Sequence, residues 1–228
     1  MTGTSTPTLS QRRITWAGWG FAIGSALFMA GVPLSLSTSL SPAVAGWTFF
    51  VGSVFFTTAA SLQTLASRTP DDERTAPFAD WNKADRANLI AAAVQLVGTV
   101  EFNITTLRAA LNAAERASYS AQSVWNPDAI GSILFLVSSA IALAPVVQQR
   151  RLSRVRDRSW FIASLNMLGS ILFGASAVGA WTTSSGDLVS LWWANVGTFF
   201  GGVCFLLGAI LMLPFGEAPD ERPAEQPA

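Results

Sequence analysis

Glu101 is the ionisable residue that lies well inside a long apolar stretch of this chain. The stretch covers roughly residues 88–108, and Glu101 falls about 4.5 Å from its midpoint at the helical rise. A charged side chain near the centre of a bilayer costs about 2.5–3.5 kcal/mol on insertion scales. Such a group must be shielded, paired or neutralised by a proton. Helical spacing sorts its neighbours onto two faces. Gly98, Glu101, Thr105 and Arg108 share one, and Gln95, Thr99, Asn103 and Thr106 share another. Arg108 lies about 10 Å along the axis from Glu101, too far for an easy direct pair. Two readings stay open. In one, Glu101 is the proton or cation site of a small transporter or channel. In the other, it is a buried polar group bonded to a neighbouring helix, with Asn166, Asn195 or Thr198 as partner. A helix that is polar on two sides cannot be wholly lipid-exposed, so this segment is expected at the centre of the assembly.

Other chemistry is sparse. The chain has no His and a single Cys, Cys204. That composition excludes a disulfide framework, the usual zinc sites and His-based catalysis. There is no phosphate-binding loop, dinucleotide fingerprint or run of metal ligands. Neither enzymatic activity nor a cofactor or metal is expected. Lys+Arg 14 balances Asp+Glu 14, which removes the electrostatic case for nucleic acid. Asn126-Pro127-Asp128 reads as an ordinary helix start, with an N-cap, a proline at the first helical position and an acid in the first turn. Thr69-Pro70-Asp71-Asp72 reads as the start of a short helix in the same way. Cys204 reads as a small packing residue.

The elements that must position these residues are membrane spans. Hydrophobic residues make up 50% of the chain and charged ones 12%, against about 25% charged in soluble domains. A span needs about 20 apolar residues. The charge-free run from Ile14 to Ser67 is too long for one span, and Pro33, the Ser-rich run Ser35–Ser41 and Pro42 divide it. Six spans result, near 15–36, 44–66, 88–108, 128–148, 159–181 and 190–214, an all-α polytopic bundle filling 14–216. A cleaved signal peptide over 11–36 fits less well, because its apolar part exceeds the usual 7–15 residues. Residues 1–13 and 217–228 are expected as disordered cytoplasmic tails.

Charge then orients the bundle. Cytoplasmic loops carry the excess of Lys and Arg. With the N-terminus inside, only Arg108 and Arg116 lie outside, and all other basic residues lie inside. Both termini are therefore expected in the cytoplasm, in a bacterial inner membrane. Arg150, Arg151, Arg154, Arg156 and Arg158 form the densest basic cluster, which suits a topology determinant or anionic lipid headgroups. Trp16, Trp19, Trp47, Trp125, Trp160, Trp181, Trp192 and Trp193 fall at span ends, as interfacial tryptophans do. Trp81 falls with Phe78 in the loop 67–86. Arginine outnumbers lysine 13 to 1, a bias of GC-rich bacterial genomes.

Every span also carries a glycine, then a small residue, then Phe four positions after the glycine. The glycines are Gly24, Gly52, Gly98, Gly131, Gly169 and Gly201, and the phenylalanines are Phe28, Phe56, Phe102, Phe135, Phe173 and Phe205. Short and long spacings alternate, which predicts three helical hairpins. Helices in lipid associate through close contact of small residues, so these glycines are expected at packing interfaces. The motif resembles the YrhK-like family of small bacterial membrane proteins. Ile130-Gly131-Ser132-Ile133-Leu134-Phe135 and Asn166-Met167-Leu168-Gly169-Ser170-Ile171-Leu172-Phe173 carry the resemblance. It covers the hairpins, not the tails or the loop 67–86. Span six departs with Gly202 in place of Ser, and span three with Thr99 and Glu101. The resemblance implies a membrane address and transfers no activity or site.

Two functions follow as expectations. One is an interaction or assembly protein, whose small-residue surfaces bind a membrane-protein partner or a second copy, with membrane lipids around it. The other is the small transporter or channel coupled through Glu101.

Overall fold

The computed structural model describes residues 7–68, 81–153 and 157–214, with backbone alone for 150–153. It contains helices α1 (Leu9–Ser35), α2 (Pro42–Arg68), α3 (Lys83–Ala113), α4 (Ala121–Ser153), α5 (Arg158–Gly179) and α6 (Leu191–Met212). All six are long and apolar enough to cross a membrane. The protein is a six-helix, multi-pass membrane protein, as its composition predicts.

Local signals set the helix ends. Thr8 and Gln11 form a reciprocal capping box at the start of α1. Asn82, Asp157 and Ser190 cap α3, α5 and α6 through their side chains. Pro42 opens α2, where a missing N–H costs nothing. Pro214 follows the end of α6. The helices extend past the predicted spans at several ends, and most at α4. Asn126 is not its N-cap. Ser120 lies just before α4 and accepts from Ser123 N at 3.2 Å, and Pro127 lies inside the helix. An interior proline leaves the carbonyl four residues earlier without its helical donor. Here that carbonyl is Ser123's, and Arg108 Nη1 donates to it at 2.6 Å. A tertiary donor thus replaces the lost helical bond, and Asp128 moves from the helix mouth into its second turn. The Thr69–Asp72 helix start lies outside the described residues.

The helices pair as three hairpins, α1–α2, α3–α4 and α5–α6. Each also packs on its sequence neighbours, and α6 closes on α1. The arrangement is a closed ring, so the expectation of a central span three is corrected: α3 stands between α2 and α4. Of its polar residues, Asn103 and Thr106 bond α2, whereas Gln95 and Thr105 turn toward the interior of the ring. We call the end with both termini proximal and the other distal. Trp16, Trp19 and Trp160 mark the proximal end, and Trp47, Trp125, Trp181, Trp192 and Trp193 the distal end. Large apolar side chains such as Val97, Ile133 and Ile171 face outward, as lipid requires.

The axis is filled by the six motif phenylalanines, each at most 6% exposed. Within hairpins their ring centroids lie 5.5 Å (Phe28–Phe56), 5.1 Å (Phe102–Phe135) and 5.1 Å (Phe173–Phe205) apart. Phe56, Phe135 and Phe205 form a triangle with sides of 5.7–6.4 Å. Phe173 lies 5.7 Å from Phe28 and 5.8 Å from Phe102. The two sets stack into a prism with approximate threefold symmetry. Edge-on ring contacts of this kind add about 0.5–1.5 kcal/mol each beyond burial.

The motif glycines make the prism possible. A Cβ on Gly24 would lie 2.6 Å from the Phe56 ring, and one on Gly52 would lie 3.0 Å from Phe28. The same exchange joins Gly98 to Phe135, Gly131 to Phe102, Gly169 to Phe205 and Gly201 to Phe173. Each phenylalanine passes over the glycine of its hairpin partner on the way to the axis.

Elsewhere backbones themselves meet. A Cβ on Gly197 would fall 2.5 Å from the Leu172 carbonyl oxygen, whereas one on Gly208 meets nothing closer than 3.8 Å. Gly197→Ala is therefore expected to lower stability by about 1–3 kcal/mol, through forced separation of α5 and α6. Gly208→Ala is expected to be neutral or stabilising by up to about 1 kcal/mol. Thermal melts of the purified chain in detergent check the pair.

Candidate functional site

The polar residues singled out by sequence do not converge on one point. Glu101 precedes Phe102 and so lies level with the prism, but on the outer side of α3. It is half-buried beside exposed Val97 and Val100. It makes no hydrogen bond or ion pair among the described residues. Arg108, besides bonding Ser123, lies 5.5 Å over the Tyr119 ring. Asn103 Nδ2 donates to Thr57 Oγ1 at 2.8 Å, joining α3 to α2. Thr106 and Ser53 hydroxyls bond at 2.9 Å across the same interface. Gln95 and Asn166 line a small recess of about 30 Å³ on the proximal side of the prism, with Gln63. None of Asn166, Asn195 and Thr198 partners Glu101.

Thr105 and Asn195 do share a cavity. A vestibule of about 470 Å³ lies between the prism and the distal surface, with Phe28 in its wall. Thr182 and Leu188, paired across the α5–α6 turn, contribute to its wall. The turn holds its shape through Thr183 N to Asp187 O (2.8 Å) and Val189 N to Trp181 O (2.9 Å). Gly186 at its tip takes φ +91°, a conformation that favours glycine. A second recess of about 460 Å³ at the distal surface shares Ala121, Trp125 and Thr182 with the vestibule. Trp125 is held there by its Nε1–H, which donates to Ala177 O at 2.7 Å.

The vestibule breaks the threefold pattern at one set of positions. Three residues before the motif glycine, α2 carries Phe49, α4 carries Asp128 and α6 carries Thr198, and all three line the cavity. Seven residues after the motif glycine, the facing helices carry Gly31, Thr105 and Ser176. In the first hairpin the Phe49 ring occupies the space a Gly31 side chain would need. In the third, Ser176 donates to Ala194 O at 2.6 Å and its hydroxyl meets Thr198 Oγ1 at 2.7 Å. Thr198 carries a proton of its own, so this pair is satisfied. In the second hairpin, Thr105 donates its one proton to Val124 O at 2.6 Å. Asp128, as a carboxylate, only accepts. It has no hydrogen bond or ion pair among the described residues and faces the vestibule.

Along the sequence Asp128 is masked by Pro127, which makes it resemble a helix-start acid. The signal that finds it is the motif register, which places it level with Phe49 and Thr198 on the inward face.

The basic cluster divides. Arg154 and Arg156 lie outside the described residues, as do the side chains of Arg150 and Arg151. Arg158, grouped with them for lipid headgroups, turns to the protein and donates to the Leu211 and Leu213 carbonyls. Those groups end α6, where carbonyls lack helical donors. Among the described residues, no three of His, Cys, Asp or Glu cluster as a metal site would require.

No family model matches this chain, and neither the curated proteins nor the solved structures contain a significant match to it.

A carboxylate at mid-membrane depth without a protein donor weakens the fold by up to the insertion cost. Glu101→Leu is therefore expected to raise stability by about 1–3 kcal/mol, measured as a higher melting temperature in detergent. A loss of stability would show that Glu101 has a stabilising partner.

Proposed function

We propose that this membrane protein binds a small organic ammonium ion at Asp128, admitted from the distal side and stopped by the phenylalanine prism. One observation carries the reading. Asp128 is a carboxyl without a hydrogen-bond partner among the described residues, on the wall of a cavity where several neighbouring donors are already engaged. The Thr105 and Ser176 protons go to backbone carbonyls, and the Asn195 amide donates to Leu191 O at 3.0 Å. Asn112 donates to Tyr119 O at 2.9 Å. A wall rich in acceptors complements a donor-bearing cation, and repels an anion. Phe49 and Trp125 add aromatic surface, which attracts alkylammonium groups. The volume lies within the roughly 300–1,000 Å³ of small-ligand sites.

Assembly through the motif glycines finds less support, because all six are occupied within their own hairpins. Glu101 lines none of the cavities described above, so it enters this reading only as a control.

The purified full chain is melted with methylammonium or ethylammonium chloride, against sodium chloride at equal ionic strength. An ammonium salt at about 100 times its Kd is expected to stabilise the fold by about 2.7 kcal/mol. Asp128→Asn abolishes that increment, and Glu101→Gln retains it. Equal stabilisation by sodium, or an undiminished increment in Asp128→Asn, overturns the reading.

The prism makes a second prediction. In proteoliposomes the wild-type chain is expected to hold an imposed gradient of tetramethylammonium, a permanent cation that cannot cross lipid as a neutral amine. Removing two rings by Phe56→Ala with Phe135→Ala opens the axis and dissipates it, provided the variant remains folded by circular dichroism.

A further inference from the structure

The proximal end carries a different kind of cavity. A groove of about 700 Å³ runs between the first turns of α1 and the adjoining ends of α5 and α6. Arg12, Trp16 and Trp19 form one wall, and Arg158, Met212 and Pro214 the other. Arg12 is exposed, and its guanidinium has no hydrogen bond or ion pair among the described residues. Arg158 is anchored by the α6 carbonyls, so its charge is fixed at the opposite wall. Trp16 is 67% exposed and Trp19 45%, although both rings are large and apolar.

We propose that this groove seats the headgroup of an anionic phospholipid. Three observations favour a lipid over a soluble anion. Arg12 can give a phosphodiester charge-assisted hydrogen bonds, and Arg158, whose Nε and Nη2 are given to backbone carbonyls, lies across the groove as a second cationic side chain. The tryptophans sit at the end of a membrane-crossing helix, the depth at which indole rings meet headgroups. Beyond them, toward the bilayer centre, the outward faces of α1 and α6 expose Ile23, Leu207 and Ile210, an apolar track for acyl chains. A free phosphate would use the arginines and leave the aromatic and aliphatic surface unexplained. The site is separate from the vestibule, at the opposite end of the bundle, and does not depend on Asp128.

The full chain in detergent is titrated with phosphatidylglycerol or phosphatidylcholine, and retained lipid is read by native mass spectrometry. Phosphatidylglycerol is expected to bind preferentially. Arg12→Gln lowers its affinity about fivefold, the scale of one basic residue near an anionic surface. Lys83→Gln removes an exposed charge at the same end but outside the groove, and leaves the affinity unchanged. Inorganic phosphate at millimolar concentration does not displace the lipid. Equal retention of the two lipids, equal effects of the two substitutions, or displacement by phosphate would each overturn the assignment. Arg12 makes no intramolecular contact whose loss would unfold the chain, and an unchanged melting temperature of Arg12→Gln verifies this.

Discussion

Two helices can bring a phenylalanine each to a shared axis only where their backbones come close, and here glycine supplies the approach. In every hairpin the motif phenylalanine of one helix crosses the motif glycine of the other. Lipid gives helices little hydrophobic reason to associate, so contact of this closeness has to supply much of the attraction. The reciprocal exchange fixes the register of each hairpin. Three hairpins in one register then bring six rings to one level, where they close the axis. The ring of helices, the barrier and the two separate spaces on either side of it all follow from that exchange.

Repetition also creates equivalent positions, and the proposed ligand site lies where equivalence fails. Phe49, Asp128 and Thr198 occupy one such set, and only the middle hairpin places a carboxylate there. The local chemistry makes the difference consequential. Thr198 can donate to Ser176, whereas Asp128 faces a threonine whose proton is already given to Val124. Pro127 belongs to the same departure. It deprives Ser123 of its helical bond, and Arg108 reaches across from α3 to repair the loss. Arg108, too far along α3 to pair easily with Glu101, is thereby committed to backbone.

The contrast between Glu101 and Asp128 shows why a single acid is hard to weigh from sequence. Depth within an apolar run is legible, and Glu101 is deep. Direction is not, because a closed ring has an inward face, an outward face and two lateral ones. Glu101 lies one residue before a phenylalanine that points to the axis, so it turns away from the axis. Asp128 lies nearer the helix end yet points inward. Gln95, Asn103, Thr105, Asn166 and Asn195 divide in the same way among recess, helix interface and vestibule.

What the amino-acid order determined without help was everything governed by the solvent. Charge-free runs of span length, prolines and caps at their ends, tryptophans at both interfaces and the glycine–phenylalanine repeat follow from the cost of exposing polar groups to lipid. Those features identify six helices and pair them into hairpins. The closure of α6 on α1, the place of α3 in the ring and the convergence of Phe49, Asp128 and Thr198 arise only in three dimensions. They depend on side chains from different hairpins meeting across an axis. Spacing along one helix sets the face a residue occupies, but the neighbour that meets that face is chosen by the packing of all six.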